Sequence, residues 1–225
     1  MNSPITRRQL VQTAFAGTVG ILGARQAQAA LEACGLTPAQ QEGPYYPQAS
    51  LERDSDLTRL DPESKLAAGQ VIYVTGQVQD EECRPLSGAM LEVWQACSSG
   101  KYNHSDDPNP LKLDPDFQYW GRARTDKNGN YTLKTIVPGH YPVGGGRFRP
   151  PHIHFKVYAR LHFTLTTQMY FTPTSYDDPA LAKIVDELNN LEAVDNRLKV
   201  EFKHGGAEIE KEARIGRFDV TLKRN

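Results

Sequence analysis

The sequence predicts an all-β protein, an antiparallel β-sandwich with long functional loops and one short C-terminal helix. Three observations carry this. Gly (18) and Pro (15) are abundant in 225 residues while Met (3) is scarce, the balance of a turn-rich chain. Short runs with period-two alternation recur at regular spacing, separated by Gly, Asn and Pro turns. Only one segment, residues 179–192, shows a sustained helical period.

The elements follow in order. The N-terminal stretch pairs Arg7 with Arg8 ahead of an apolar run from Leu10 to Leu22, and ends in an A-x-A-like signal at Ala27–Ala29. It reads as a twin-arginine signal over 1–29, too short to span a membrane, which sends the mature chain to the periplasm. Residues 30–69 form an arm, extended through the Pro- and Gly-punctuated LTPAQQEGPYYP (36–47) and polar loop beyond it. The sandwich domain is expected over 70–225. QVIYVTGQVQD (70–80) and AMLEVWQA (89–96) alternate as strands. KYNHSDDPNPLKLDPDFQYW is a long irregular loop, the kind that carries function. Two strands flank the Asn128–Gly129 turn. HYPVGGGRFRPP reads as a Gly/Pro loop. HIHFKVYA and LHFTLTTQMYF are strands, PALAKIVDELNNLE is an amphipathic helix with Pro179 near its start, and NRLKVEFKHG and IGRFDVTLKRN complete the sheets.

Net charge is −1, so neither a nucleic-acid groove nor a basic membrane patch is indicated. Three cysteines are too few for a disulfide scaffold. Cys83 and Cys97 lie at opposite ends of the 89–96 strand, separated by roughly 26 Å at ~3.3 Å per residue, beyond the ~7 Å a bridge spans. Cys34 remains free to pair with either.

The chemistry concentrates in RPPHIHFKV (149–157). Residues i and i+2 of a strand share a face, so His152 and His154 point together. Two imidazoles on one face can grip a metal ion, and they can equally be part of a polar sheet face. Trp94 ends a strand, with Tyr102 eight residues on. Tyr141 sits on a Pro/Gly turn, and Gln168 lies on a neighbouring strand.

Together, EGPYY, CRPLSGAMLEVWQA, GKYNH, GRARTDKNGNYTLKTIVPGHYP, RPPHIHF and LTTQMYF resemble, in order, the intradiol ring-cleavage dioxygenases, and most closely the catalytic chain of the protocatechuate 3,4-dioxygenases. The resemblance runs from about Glu42 to Phe171. It implies one Fe(III) per chain, held by Tyr102, Tyr141, His152 and His154. The chemistry is coherent, because phenolate is a hard anionic donor suited to a hard ferric ion. It further implies that Tyr141 acts as an internal base, that Arg149 stabilises negative charge on a bound ring, that Gln168 sits near the reacting carbon or oxygen, and that Tyr45 lines the substrate pocket. The implied reaction opens a catecholic ring with O2, placing both oxygen atoms in a cis,cis-muconate-type diacid. The implied assembly is a homo-oligomer or a pairing with a related chain. Val143 and the Gly144–Gly146 run stand where protocatechuate enzymes carry an aromatic residue, so the ring substituent stays open. The competing reading is an exported binding module that kept the fold and lost the chemistry.

Overall fold

The structure is a computed structural model that describes residues 34–48, 54–207 and 209–225. The stretch expected to be a signal, 1–29, lies outside the described residues. Twelve strands are present among them: β1 (Val71–Asp80), β2 (Met90–Gln95), β3 (Trp120–Arg124), β4 (Asn130–Ile136), β5 (Tyr141–Gly144), β6 (Arg147–Arg149), β7 (His152–Tyr158), β8 (Leu165–Phe171), β9 (Lys199–Val200), β10 (Lys203–His204), β11 (Arg214–Arg217) and β12 (Val220–Leu222). The one α-helix among these residues, α1, spans Pro179–Leu191, with the Asp178 side chain accepting from the Ala180 N–H and Pro at its first turn.

Two five-stranded sheets face each other. One runs β10-β11-β1-β12 with β4 also on β1; the other runs β3-β2-β7-β8-β9. The expected sandwich is therefore present. Its pairing is antiparallel except at three junctions, where β11 and β12 each pair parallel with one half of β1 and β9 pairs parallel with β8. The β11–β12 switch occurs opposite Gly76, where a Cβ would lie 2.0 Å from the Phe218 carbonyl oxygen. Only a residue without a side chain admits that crossing. The segment read as a Gly/Pro loop contains a short hairpin, β5–β6, turned by Gly144, Gly145 and Gly146, all at positive φ.

The sandwich core holds Leu91, Val93, Ile153, Phe155 and Val157 of one sheet against Ile72, Val74, Leu133 and Val220 of the other, all fully buried. β1 alternates buried and half-buried residues, as a strand with one wet face should. β7 behaves differently: His152 and His154, on the face opposite that core, are also buried at 2% exposure. They are covered because the arm folds across this outer face. Gln40 N–H donates to the Thr166 carbonyl, Thr167 Oγ1 donates to the Pro38 carbonyl, and Gln168 Nε2 donates to the Gln41 carbonyl. Beneath the arm a second apolar cluster forms from Trp94, Ala96, Tyr102 and Tyr141, flanked by Tyr45 and Tyr46. A Cys34–Cys83 disulfide anchors the start of the arm, one of the two pairings left open for Cys34, and Cys97 is a buried thiol.

Candidate metal centre and substrate pocket

Strand register assembles the centre. Trp94, His154 and Gln168 are direct cross-strand partners on β2, β7 and β8, and His152 is opposite Tyr170. Trp94 stacks flat on the His154 ring, with centroids 4.6 Å apart at 9°. The tyrosines arrive on loops. Tyr102 is fixed by its N–H donating to Asp107 Oδ2 at 2.7 Å. Tyr141 starts β5, after a turn pressed against the Tyr102 loop. A Cβ on Gly100 would lie 2.3 Å from the His140 carbonyl oxygen, and one on Gly139 would lie 2.5 Å from Gly100 N and Ser98 O. Two glycines therefore allow the tyrosine-bearing loops to meet backbone to backbone. The Tyr102 and Tyr141 rings lie 5.3 Å apart, edge to face.

Three polar atoms converge. His152 Nε2 is 3.1 Å from His154 Nε2, and the Tyr102 hydroxyl is 3.4 Å and 3.2 Å from these two nitrogens. His152 Nδ1 lies 2.7 Å from the Pro150 carbonyl. A carbonyl only accepts, so Nδ1 carries the hydrogen and the Nε2 lone pair points inward. Burial, and then the nearby Arg149 charge, lowers the His152 pKa to about 3; burial and then His152 hold His154 well below its usual value. Both imidazoles are therefore neutral. His154 Nδ1 is buried without a protein partner. Two neutral imidazoles with convergent nitrogens beside a phenol form a donor set for a cation. The phenols need one: burial above all raises the pKa of both Tyr102 and Tyr141, although the charge of Arg149 and its hydrogen bond partly offset this at Tyr141. Ionising them in place requires a positive charge that outweighs desolvation. The residues therefore fit a hard, highly charged metal ion.

Beside this centre lies a cavity of about 750 Å³, lined by Tyr45, Tyr141, Val143, Arg149, Gln168 and Glu192 among others. That volume suits a small aromatic molecule. Arg149 is the most connected side chain in it. Its Nη2 donates to Gln168 Oε1, the Tyr170 hydroxyl and Glu192 Oε2, each at 3.0 Å, while Nε donates to Glu192 Oε1 at 2.9 Å. Burial works against its charge, but Glu192 and the facing tyrosine hydroxyls outweigh that and raise its pKa further. Tyr45 packs on Tyr102 at a tilt of 35°, with centroids 4.7 Å apart. The seven residues of the implied site, Tyr45, Tyr102, Tyr141, Arg149, His152, His154 and Gln168, thus gather around the three convergent atoms and the adjoining cavity.

Sequence reasoning missed Tyr170, Glu192 and Gln41. Tyr170 was detectable, since it shares a face with Gln168 at i+2. Glu192 and the Gln41 carbonyl were not, because no local pattern ties them to Arg149 and Gln168. The remaining four histidines hold no place among the convergent atoms: His104 packs on Tyr45, His140 on Phe148, His162 lies 3.9 Å from Asp80, and His204 lies 3.7 Å from Asp177.

The two-sheet sandwich thus holds a buried Tyr/His donor set beside an arginine-bearing cavity. Comparison with known proteins supplies the family. The Dioxygenase_C family, described as "Dioxygenase", matches residues 41–223. The protocatechuate 3,4-dioxygenase beta chain of Burkholderia cepacia is 38% identical over 173 residues, 76% of this chain and 72% of its own. The catechol 1,2-dioxygenase of Acinetobacter baylyi is 35% identical over 68% of this chain, and the match spans only 53% of that relative's length. Among solved structures, the dioxygenase domain of a dioxygenase–carbohydrate-binding fusion from Streptomyces sp. SirexAA-E superimposes with a TM-score of 0.61 at 30% identity, covering 85% of this chain and all of that one. The chain belongs to the intradiol dioxygenase family.

Proposed function

We propose that this chain is a non-haem Fe(III) intradiol dioxygenase that opens a catecholic ring with O2 and yields a cis,cis-muconate-type diacid. The observation that carries this reading is the convergence of His152 Nε2, His154 Nε2 and the Tyr102 hydroxyl within 3.1–3.4 Å, beside a cavity that holds Arg149 and Gln168. Tyr102, Tyr141, His152 and His154 would hold Fe(III), which when bound supplies the Lewis acidity that ionises a catechol and primes it for O2.

The chain's own residues do the rest. Tyr141, at the cavity wall, would take a proton at Oη from the incoming catechol as the phenolate that a bound cation would stabilise, and so become the neutral phenol. The Arg149 guanidinium, fixed by three neighbours, faces the ring as charge builds on it and needs no reorientation to stabilise that charge. Gln168 cannot turn, because its Nε2 donates to Gln41 and its Oε1 accepts from Arg149 and Tyr170. It therefore presents a fixed amide to the reacting edge. Trp94 and the arm keep water from the imidazoles.

The test is a visible spectrum of the ferric-loaded protein, before and after anaerobic addition of catechol or protocatechuate. A broad tyrosinate-to-iron band that shifts on addition is expected. A protein that stays colourless after ferric loading would overturn the assignment and favour a binding module on the same fold.

An exported, periplasmic location is part of the proposal. Arg7–Arg8 supports it, and so does the Cys34–Cys83 disulfide, a bond that persists in oxidising compartments. No helix among the described residues is long and apolar enough to cross a membrane. Replacing both arginines by lysine in the full chain should retain the protein in the cytoplasmic fraction. Self-assembly, or pairing with a related chain, is read from the mass of the purified protein in solution.

A further inference from the structure

The geometry points to Glu192 as a specificity-determining residue that sets the charge of the substrate pocket, so that the site takes catechols with neutral ring substituents and disfavours carboxylated ones. This rests on the reading of the site as a catechol-cleaving centre and adds a substrate class to it.

Three observations meet here. Glu192 closes the C-terminus of α1, 43 residues along the chain from Arg149, yet both of its carboxylate oxygens accept from that guanidinium, at 2.9 and 3.0 Å. It lines the same cavity as Tyr45, Tyr141, Arg149 and Gln168, with its side chain 26% exposed. The Nε–Nη2 edge of Arg149 is therefore already occupied, and its positive charge already matched. A planar guanidinium can clasp one carboxylate in the bidentate manner along one edge. A carboxylated ring entering the cavity would find that edge taken and a second carboxylate beside it. Like charges brought together in a partly dehydrated pocket repel far more than in open water. Arg147 also lines the cavity, but it is exposed, and an exposed ion pair adds little to set against this. A neutral ring meets no such penalty and leaves the Arg149–Glu192 pair intact, with the guanidinium aimed by it.

The role has two separable parts. Glu192 positions Arg149 and excludes anions. Anaerobic calorimetric titration of the ferric-loaded protein with catechol and with protocatechuate, alongside kcat/KM for each, tests both. The wild type is expected to bind catechol at least about tenfold more tightly than protocatechuate, a difference of about 1.4 kcal/mol. Glu192→Gln, which keeps the size and removes the charge, should shift that ratio toward protocatechuate by about tenfold. Glu192→Asp, which keeps the charge on a shorter arm, should preserve the preference while lowering kcat for both. Equal affinity for the two compounds in the wild type, or a ratio that Glu192→Gln leaves unmoved, overturns the inference while the catechol-cleaving reading stands. If neither compound binds the wild type, that reading falls and the inference falls with it.

Discussion

Arg149 shows how much one side chain integrates. It ties the end of β6 to β8 through Gln168 and Tyr170 and to the end of α1 through Glu192. Arg149→Leu should retain the visible band of the ferric protein yet lower kcat about 10²-fold or more, the scale expected on losing a preorganised charge-stabilising donor. Steady-state oxygen uptake checks this. A different residue, Asp80, contributes to acid stability. Asp80, 2% exposed at the end of β1, is disfavoured as an anion by burial, but hydrogen bonds from the Arg84 N–H, the Arg84 side chain and the Glu82 N–H more than compensate and hold its pKa below 3.8. A lowered folded pKa gives stability that is present above 3.8 and is lost as pH falls through the folded value. Asp80→Asn should therefore be less stable than wild type near neutral pH, with the gap closing below pH 3.8 in denaturant titrations. The site was legible in the sequence to differing degrees. The His152–His154 pair stood out because a strand has period two. Tyr102 and Tyr141 stood out on a loop and a Pro/Gly turn, but their place as ligands emerged only through resemblance. Glu192 stayed hidden, because a salt bridge spanning 43 residues leaves no trace in local spacing.

At the scale of elements, β7 explains why the centre is rigid. One face of this strand carries Ile153, Phe155 and Val157 into the sandwich core, and the other carries both imidazoles, so moving a ligand means disturbing the core. The loops are held differently, by the abutting Gly100 and Gly139. Gly139→Ala would drive a Cβ into backbone atoms 2.5 Å away. It should cost about 1–3 kcal/mol of stability, as overpacking does, and reduce iron retained per chain after gel filtration. A substitution at the exposed Gly145, which meets nothing within 4 Å, should leave iron retention intact. Strand positions were readable from alternation, whereas partners were not. The parallel seating of β11 and β12 on β1 depends on residues some 140 positions away, and the hairpin β5–β6 was masked by the glycines that turn it.

Over the whole molecule, the arm is one of the parts of the site that belong to neither sandwich sheet. It supplies Tyr45 and the Gln41 carbonyl and is fastened by the Cys34–Cys83 bond, which closes a sequence separation of 49 residues. Loop-closure entropy puts the contribution of such a bond at about 4 kcal/mol at most. Reduction, or a double serine variant, should lower unfolding stability by about 2–4 kcal/mol in denaturant titrations. An attachment of this kind divides the protein into units that open on different clocks. In deuterated solvent the amide of Gln40, bonded to Thr166 across the arm, should exchange slowly while the disulfide is intact and quickly once it is reduced. Amides of β2 and β7 should keep their protection in both states. Mass-resolved exchange would then show the roof of the pocket lifting from a floor that stays closed.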